Sequence, residues 1–372
     1  MDKFHGIIFA YSAYPELGTL VKERNAASLP YGGRYRLIDF ALSSLRNAGV
    51  RNVGVILKKN YQSLLDHMGS GKAWDMSRRS GGLRILPPFG MPEYHQENYV
   101  GTVEALNAVV PYIRDIQEEH VVLMLGNLCA NIDLRAAMVR HLESGADMTA
   151  ICADYDIASL HNRYVVDENG YIKQILFDRS GGAGLASLEC YIIRKETLLK
   201  LMDQCRALNL YHFHGDAVAN FLDAGGRMAC YIHPGYARAV HTTDDYYTAN
   251  MDMLNIDVRN DLFSPDKPVR TRKIEGVSTY YGEKSVSRNS LVADNCIVEG
   301  EIENCILFSG ARIAAGARLK NCIVMSDCTV EKGAQLNYVI ADKSTYFSKD
   351  TVLTGNPKLP VVVPKGSRIY RA

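Results

Sequence analysis

"LFSGARIAAGARLKNCIVMSDCTVEKGAQL", Leu307 to Leu336, decides how the last part of the chain folds. Leu307, Ile313 and Leu319 recur six apart, and Val324, Val330 and Leu336 take up the same step, with glycines and small residues between them. An α-helix repeats its buried face about every 3.6 residues and a strand about every 2, so neither element fits. A six-residue step is that of a left-handed parallel β-helix. Three short strands make each triangular coil, and one apolar side chain per strand points inward. Leu291 and Ile297 extend the row upstream. The tripeptide Asn-Cys-Ile occurs at Asn295, Asn304 and Asn321. Its cysteines read as small buried side chains in a repeated slot. Coils of this kind have open ends and flat faces, which suits association with other subunits.

Upstream the grammar differs. Between Gly6 and about Leu254, apolar runs such as "GIIFA", "NVGVIL", "VVLMLG" and "MTAICA" alternate with helical stretches such as "DFALSSLRNAG" and "DLRAAMVRHLESGAD". Alternation of this kind argues for an α/β domain with a mostly parallel sheet. Asp39 and Asp133 are expected as helix N-caps and Gly49 as a helix stop. "RYVVDENGYIKQILF" breaks the alternation, and Asn169-Gly170 predicts a hairpin with a type I′ turn. The expected organisation is an α/β domain over residues 1–258, a linker over 259–282 and a β-helix over 283–372.

Charge and cysteine usage exclude several classes. The net charge is +1, so nothing global favours nucleic acid or a membrane surface. No apolar run approaches the ~18 residues of a membrane span, and the first residues lack a signal-peptide pattern; a cytoplasmic protein is expected. Nine cysteines without a Cys-x-x-Cys argue against disulfide scaffolds and zinc ribbons. "GSGKAWD" at Gly69–Asp75 lacks the full phosphate-loop spacing and follows a helix, so it is discounted. His212, His214 and Asp216 in "HFHGD" read as a helix start rather than a metal site.

Together, the two halves resemble the sugar-nucleotide pyrophosphorylases, and most closely the glucose-1-phosphate adenylyltransferase (ADP-glucose pyrophosphorylase) family. The resemblance rests on "PYGGRYRLIDFALSSLRNAGV", "ENYVGTVEALNAV", "LMLGNLCANID" and "YARAVHTTDDYYTANMDML". It implies a Rossmann-like, GT-A-type nucleotidyltransferase domain followed by hexapeptide repeats. The family's reaction joins glucose 1-phosphate to the α-phosphorus of ATP. Bringing two polyanions together calls for a glycine cradle, cations and Mg²⁺ on carboxylates.

Residue by residue, those parts are missing. Where the family has cradle glycines, this chain has Tyr11, Ser12 and Tyr14. The loop arginine falls on Glu16 and a motif lysine on Ala26. The two metal aspartates fall on Asn127 and Ala239, and "LFDRSGG" replaces the segment with the sugar-phosphate lysine. Glu104, Asp154 and Asp156 stand elsewhere and are not favoured as replacement ligands. No catalytic residue, metal or cofactor is therefore expected here; Mg²⁺ would sit only on a catalytic partner.

The implied role is a regulatory or assembly subunit, without catalysis or with weak catalysis. It would join the catalytic subunit in a heterotetramer, with ADP-glucose synthesis for glycogen as the process. The alternatives are a nucleotidyltransferase with rearranged ligands and a homotetrameric sugar-phosphate sensor. A hexapeptide acyltransferase is disfavoured, because all ten histidines lie at or before His241. Arg34 and Arg36, with Lys267, Arg270, Arg272 and Lys273, are the candidates for a sugar-phosphate effector.

Overall fold

The computed structural model describes residues 3–11, 14–79, 81–87, 101–157, 159–177, 183–273 and 275–371. Ser12, part of the "ENYVG" segment and most of "LFDRSGG" lie outside the described residues. Two compact units form, each from separated stretches: one from 1–12, 38–239 and 263–270, the other from 13–37, 240–262 and 271–372. The units do not follow the expected cuts at 258 and 282. Two upstream stretches belong with the β-helix, and 263–270, inside the expected linker, belongs with the α/β unit.

The first unit is built on a nine-stranded mixed sheet. Its strands are β1 Phe4–Ala10, β2 Val53–Leu57, β3 Leu83–Leu86, β4 His120–Leu125, β5 Met148–Ala153, β6 Asn162–Val166, β7 Ile172–Phe177, β8 Leu185–Arg194 and β9 Met228–Ile232. β1 lies between β2 and β4, parallel to both, and β3 extends the parallel run. β8 is antiparallel to β4 and β5, and β9 is parallel to β5. Every residue of β1, β2, β4 and β5 is buried, as expected of strands covered on both faces.

Local signals were met unevenly. Asp133 caps the helix Leu134–Ser144 by accepting from the Ala136 amide at 3.0 Å. Gly49, at φ 84°, ends the helix Ile38–Asn47. Asp39 is not that helix's N-cap. It lies inside the first turn, fully buried, and its carboxylate meets His67 Nε2 at 2.6 Å. A buried carboxylate takes the partner tertiary structure offers it, here 28 residues downstream. The hairpin of β6 and β7 forms, but not through a type I′ turn. Of the two turn residues only Gly170 has positive φ. The Asp167 carboxylate accepts from the amides of Asn169 and Tyr171, and this Asx-type turn supplants the tighter one.

The second unit carries the left-handed β-helix. Its strands stack into three parallel sheets of six, five and five members. Val298, Ile302, Leu307, Ile313, Leu319, Val324, Val330, Leu336 and Phe347 fill its interior. The first coil corrects the register read from sequence. Val298 is buried in the core and half-buried Val292 packs against it, whereas Leu291 and Ile297, also half-buried, lie outside that row. Both sites are apolar dipeptides, so the periodicity alone could not choose between neighbours. The cysteines of Asn-Cys-Ile are buried as packing residues. Their asparagines adopt the left-handed conformation at the corners, with φ between 50° and 64°. Asn289, Asn304, Asn321 and Asn337 join side chain to side chain at 2.8–3.2 Å, a ladder along one corner.

Candidate functional site

In the first unit the strand order reverses direction between β1 and β4. In open α/β sheets, ligands bind outside the carboxyl ends of the strands at such a switch point. The Gly126 amide donates to Phe9 O at 2.8 Å, which sets Asn127 beside the end of β1. Asn127 is 3% exposed. The ribbon Leu128–Ala130 pairs antiparallel with Ala237–Ala239, placing Ala239 directly opposite Leu128. The two positions expected to have lost metal carboxylates are thus neighbours at the switch point, where open α/β sheets generally bind ligands. Mg²⁺ is held by carboxylates and other oxygens. Asn127 offers one neutral amide oxygen and the Ala239 methyl none, so this pair does not suit the ion. Among the described residues, no three His, Cys, Asp or Glu side chains come together as a metal group. Tyr11 is buried at the end of β1, edge-on to Phe9 at 5.9 Å. Lys58, just past β2, has its pKa lowered by burial and by Lys59, with Glu104 pulling the other way.

Two of the proposed cations in this unit have structural partners. Lys267 and Asn131 exchange side-chain-to-carbonyl hydrogen bonds at 3.1 and 2.7 Å. Arg270 donates to Asn47 Oδ1 at 3.0 Å, and its carbonyl accepts from Trp74 Nε1 at 3.1 Å. Together they tie 263–270 to the α/β unit. Trp74, fully buried in the segment that mimics a phosphate loop, is part of that tether. Arg272 and Lys273 fall in the second unit and are exposed.

A polar cluster that sequence reasoning missed lies at a bulge in β8. Glu189 sits there at φ 51°, and its carboxylate meets His214 Nε2 at 3.2 Å. Tyr191 stacks on the His214 ring, and its hydroxyl bonds those of Tyr164 and Ser187. Asp216 accepts from the amides of Tyr211 and His212, so "HFHGD" supplies a turn. Burial holds the Glu189 carboxyl up at about 7, above its ordinary 4.5. A raised carboxyl favours folding fully below its ordinary value, and the benefit is lost as pH climbs through about 7. Glu189→Gln is therefore expected to flatten the fall in stability between pH 5 and 8, a gain of about 2 kcal/mol at the upper end. Denaturation midpoints of both proteins across that range check it; parallel curves would contradict it.

The second unit presents the other substituted positions. Tyr14 stacks on His241 with ring centres 4.2 Å apart. Glu16 is exposed on a 3₁₀ segment, Pro15–Val21, anchored by fully buried Leu17 and Leu20. Its carbonyl accepts from Thr243 Oγ1 at 3.0 Å. Ala26, where the resemblance implies a lysine position, is 3% exposed and packed. Arg24, 5% exposed, grips both carboxylate oxygens of Asp342, 1% exposed. Beside that pair, Lys343 is pushed down to about 8, by burial first and then by the charges of Arg36, Arg24 and Lys365. Arg36 lies on a ribbon, Pro30–Tyr31 with Tyr35–Arg36, and Arg34 lines a cleft of about 260 Å³ with Gly32, Gly33, Asp294, Asn295 and Ser309. Arg34 and Arg36 were legible as candidates; Asp342, Lys343 and Lys365 were not, because the chain brings them from more than 300 residues away.

The fold and site together define a nucleotidyltransferase-type protein with a hexapeptide extension, and sequence comparison agrees. Residues 17–255 match the model of the family described as Nucleotidyl transferase, and 276–359 match "GlmU-like, C-terminal hexapeptide". Among relatives, "Glycogen biosynthesis protein GlgD" of Bacillus subtilis (strain 168) is 34% identical over 97% of this chain and 95% of its own. The GlgD protein of Geobacillus stearothermophilus is 31% identical over 85% and 82%. A "Glucose-1-phosphate adenylyltransferase" of Clostridium botulinum (strain Alaska E43 / Type E3) is 28% identical over 84% and 82%. The chain belongs to the glucose-1-phosphate adenylyltransferase family and, within it, aligns with the GlgD proteins over nearly its whole length. No helix among the described residues is long and apolar enough to cross a membrane.

Proposed function

We propose that this protein is a regulatory subunit of glucose-1-phosphate adenylyltransferase, acting in glycogen synthesis in the cytoplasm. It assembles with a catalytic subunit, and its own turnover is weak or absent. One observation carries the reading: at the switch point, the positions that should bear two metal carboxylates bear Asn127 and the buried methyl of Ala239. Without a metal clamp, two polyanionic substrates repel one another and the leaving pyrophosphate is not neutralised. The names of the relatives, glycogen biosynthesis and adenylyltransferase, supply the process and the partner's class.

Regulation requires a ligand or partner that favours one state over another. The second unit supports a phosphorylated effector of the sugar-phosphate kind. Arg34 lines a cleft there, and Arg36, Arg24 and Lys365 lie near Lys343, whose pKa is lowered by burial first and then by their charges. Guanidinium and ammonium groups are the chemistry that recognises phosphate. The test is co-expression with a tagged catalytic subunit, then measurement of how a sugar phosphate changes the complex's turnover, with and without Arg34→Ala and Arg36→Ala. Co-purification with an effector response blunted by these changes is expected. Failure to co-purify would overturn the reading.

A further inference from the structure

One face of the β-helix is complementary in charge to itself. Val286–Arg288, Glu301–Glu303, Arg318–Lys320, Gln335–Asn337 and Val352–Thr354 stack as a five-stranded parallel sheet. In the second, third and fourth strands the middle residue, Ile302, Leu319 or Leu336, is buried inward. The flanking residues turn outward in two columns, fixed by the register that pairs Glu301 with Arg318 and Glu303 with Lys320. The second strand thus presents two carboxylates and the third two cations, above a strand of neutral amides, Gln335 and Asn337.

These charges are open to solvent. The Arg318, Lys320, Glu301 and Glu303 side chains are 68%, 54%, 52% and 43% exposed, and Val352 at the end of its column is 67% exposed. Between the columns runs a shallow groove of about 330 Å³. Within the chain, Arg318 meets Glu301 at 3.6 Å and Lys320 meets Glu303 at 3.0 Å. Exposed pairs of this kind contribute little to stability, so the pattern is not explained by folding energetics.

Symmetry selects the occupant. Two copies laid face to face can be related by a twofold axis along the stack or along the strands. An axis along the stack sets carboxylates on carboxylates and cations on cations, which is repulsive. An axis parallel to the strands, passing between the second and third, lays Glu301 and Glu303 on the second copy's Arg318 and Lys320, and the reverse. It also sets Val286 against the second copy's Gln335, without like charges meeting. We infer that this face is an isologous interface, and that it pairs with a second copy of the same chain across that axis. The inference is independent of the regulatory reading, because it concerns a face that holds none of the substituted site positions.

Five strands about 4.8 Å apart make a face roughly 20 Å tall, small for a protein interface. The pairing is therefore expected to be concentration-dependent and weakened by salt. The test is sedimentation of the full chain at low and high salt, with two charge-reversed variants, Glu301→Lys with Glu303→Lys and Arg318→Glu with Lys320→Glu. Each variant alone is expected to lose the pairing, lowering the assembly's mass about two-fold. An equimolar mixture of the two is expected to recover it, because the reversed faces complement each other. Wild-type mass in both variants would overturn the inference. So would losses in both that mixing does not repair, or a wild-type protein that stays monomeric at high concentration in low salt.

Discussion

Replacing Asp342 with alanine is expected to lower the stability of this protein by about 3–5 kcal/mol. Arg24 is 5% exposed, and both of its contacts with Asp342 are made out of water. The same carboxylate accepts from the Lys343 amide at 2.6 Å. Removing it leaves a buried guanidinium beside Lys343, whose pKa is already lowered by burial and then by the charges of Arg36 and Arg24. Breaking one side of a buried pair costs far more than the pair contributes, because the remaining charge has no compensation. Arg24→Met combined with Asp342→Leu is thus expected to recover most of the loss. The exposed Glu23–Lys365 pair provides the control, and Glu23→Ala should leave the denaturation midpoint where it is. Chemical denaturation of the four proteins checks the ordering. An Asp342→Ala loss as small as that of Glu23→Ala would contradict it.

Restoring both carboxylates is expected not to restore the enzyme. Asn127→Asp with Ala239→Asp should still turn over ATP and glucose 1-phosphate about 10³-fold or more below a catalytic subunit. Several kcal/mol of transition-state stabilisation come from a metal clamp, but the other parts stay absent. Tyr11 fills the end of β1 with a ring, exposed Glu16 keeps a negative charge, and Ala26 is packed rather than cationic. Ala239 is fully buried, so a carboxylate there is also poorly solvated. Initial rates of ADP-glucose formation decide the matter. Rates near the catalytic subunit's would show that the metal ligands alone separate the two.

The β-helix was legible because a fixed period survives any uncertainty about single residues. Its first coil was misread by one residue, at Leu291 for Val292 and Ile297 for Val298, since adjacent apolar residues fit the period equally well. The parallel sheet announced itself through continuous apolar runs, and Asp133 through a cap that depends only on nearby backbone. Asp39 has the same side chain in the same kind of setting, yet His67 claims it, and no local rule contains that residue. The same limit governs the site. Tyr11, Asn127 and Ala239 could be picked out because each is a change of residue type within a motif. Arg24 with Asp342, and Glu189 with His214, depend on strands and turns brought together by tertiary folding. Lys267 and Arg270 look from sequence like the other cations of the basic run. Only packing shows that they tether 263–270 to Asn131, Asn47 and Trp74.

The central claim is that the fold was kept while the chemistry passed to a partner. Its most direct test is ADP-glucose formation from ATP and glucose 1-phosphate with Mg²⁺, for this protein, for the catalytic subunit, and for the two mixed. The account predicts little or no turnover by this protein alone and an altered rate or effector response in the mixture. Turnover by this protein alone at a rate near the catalytic subunit's would contradict it, and would require a metal site that does not depend on Asn127 and Ala239.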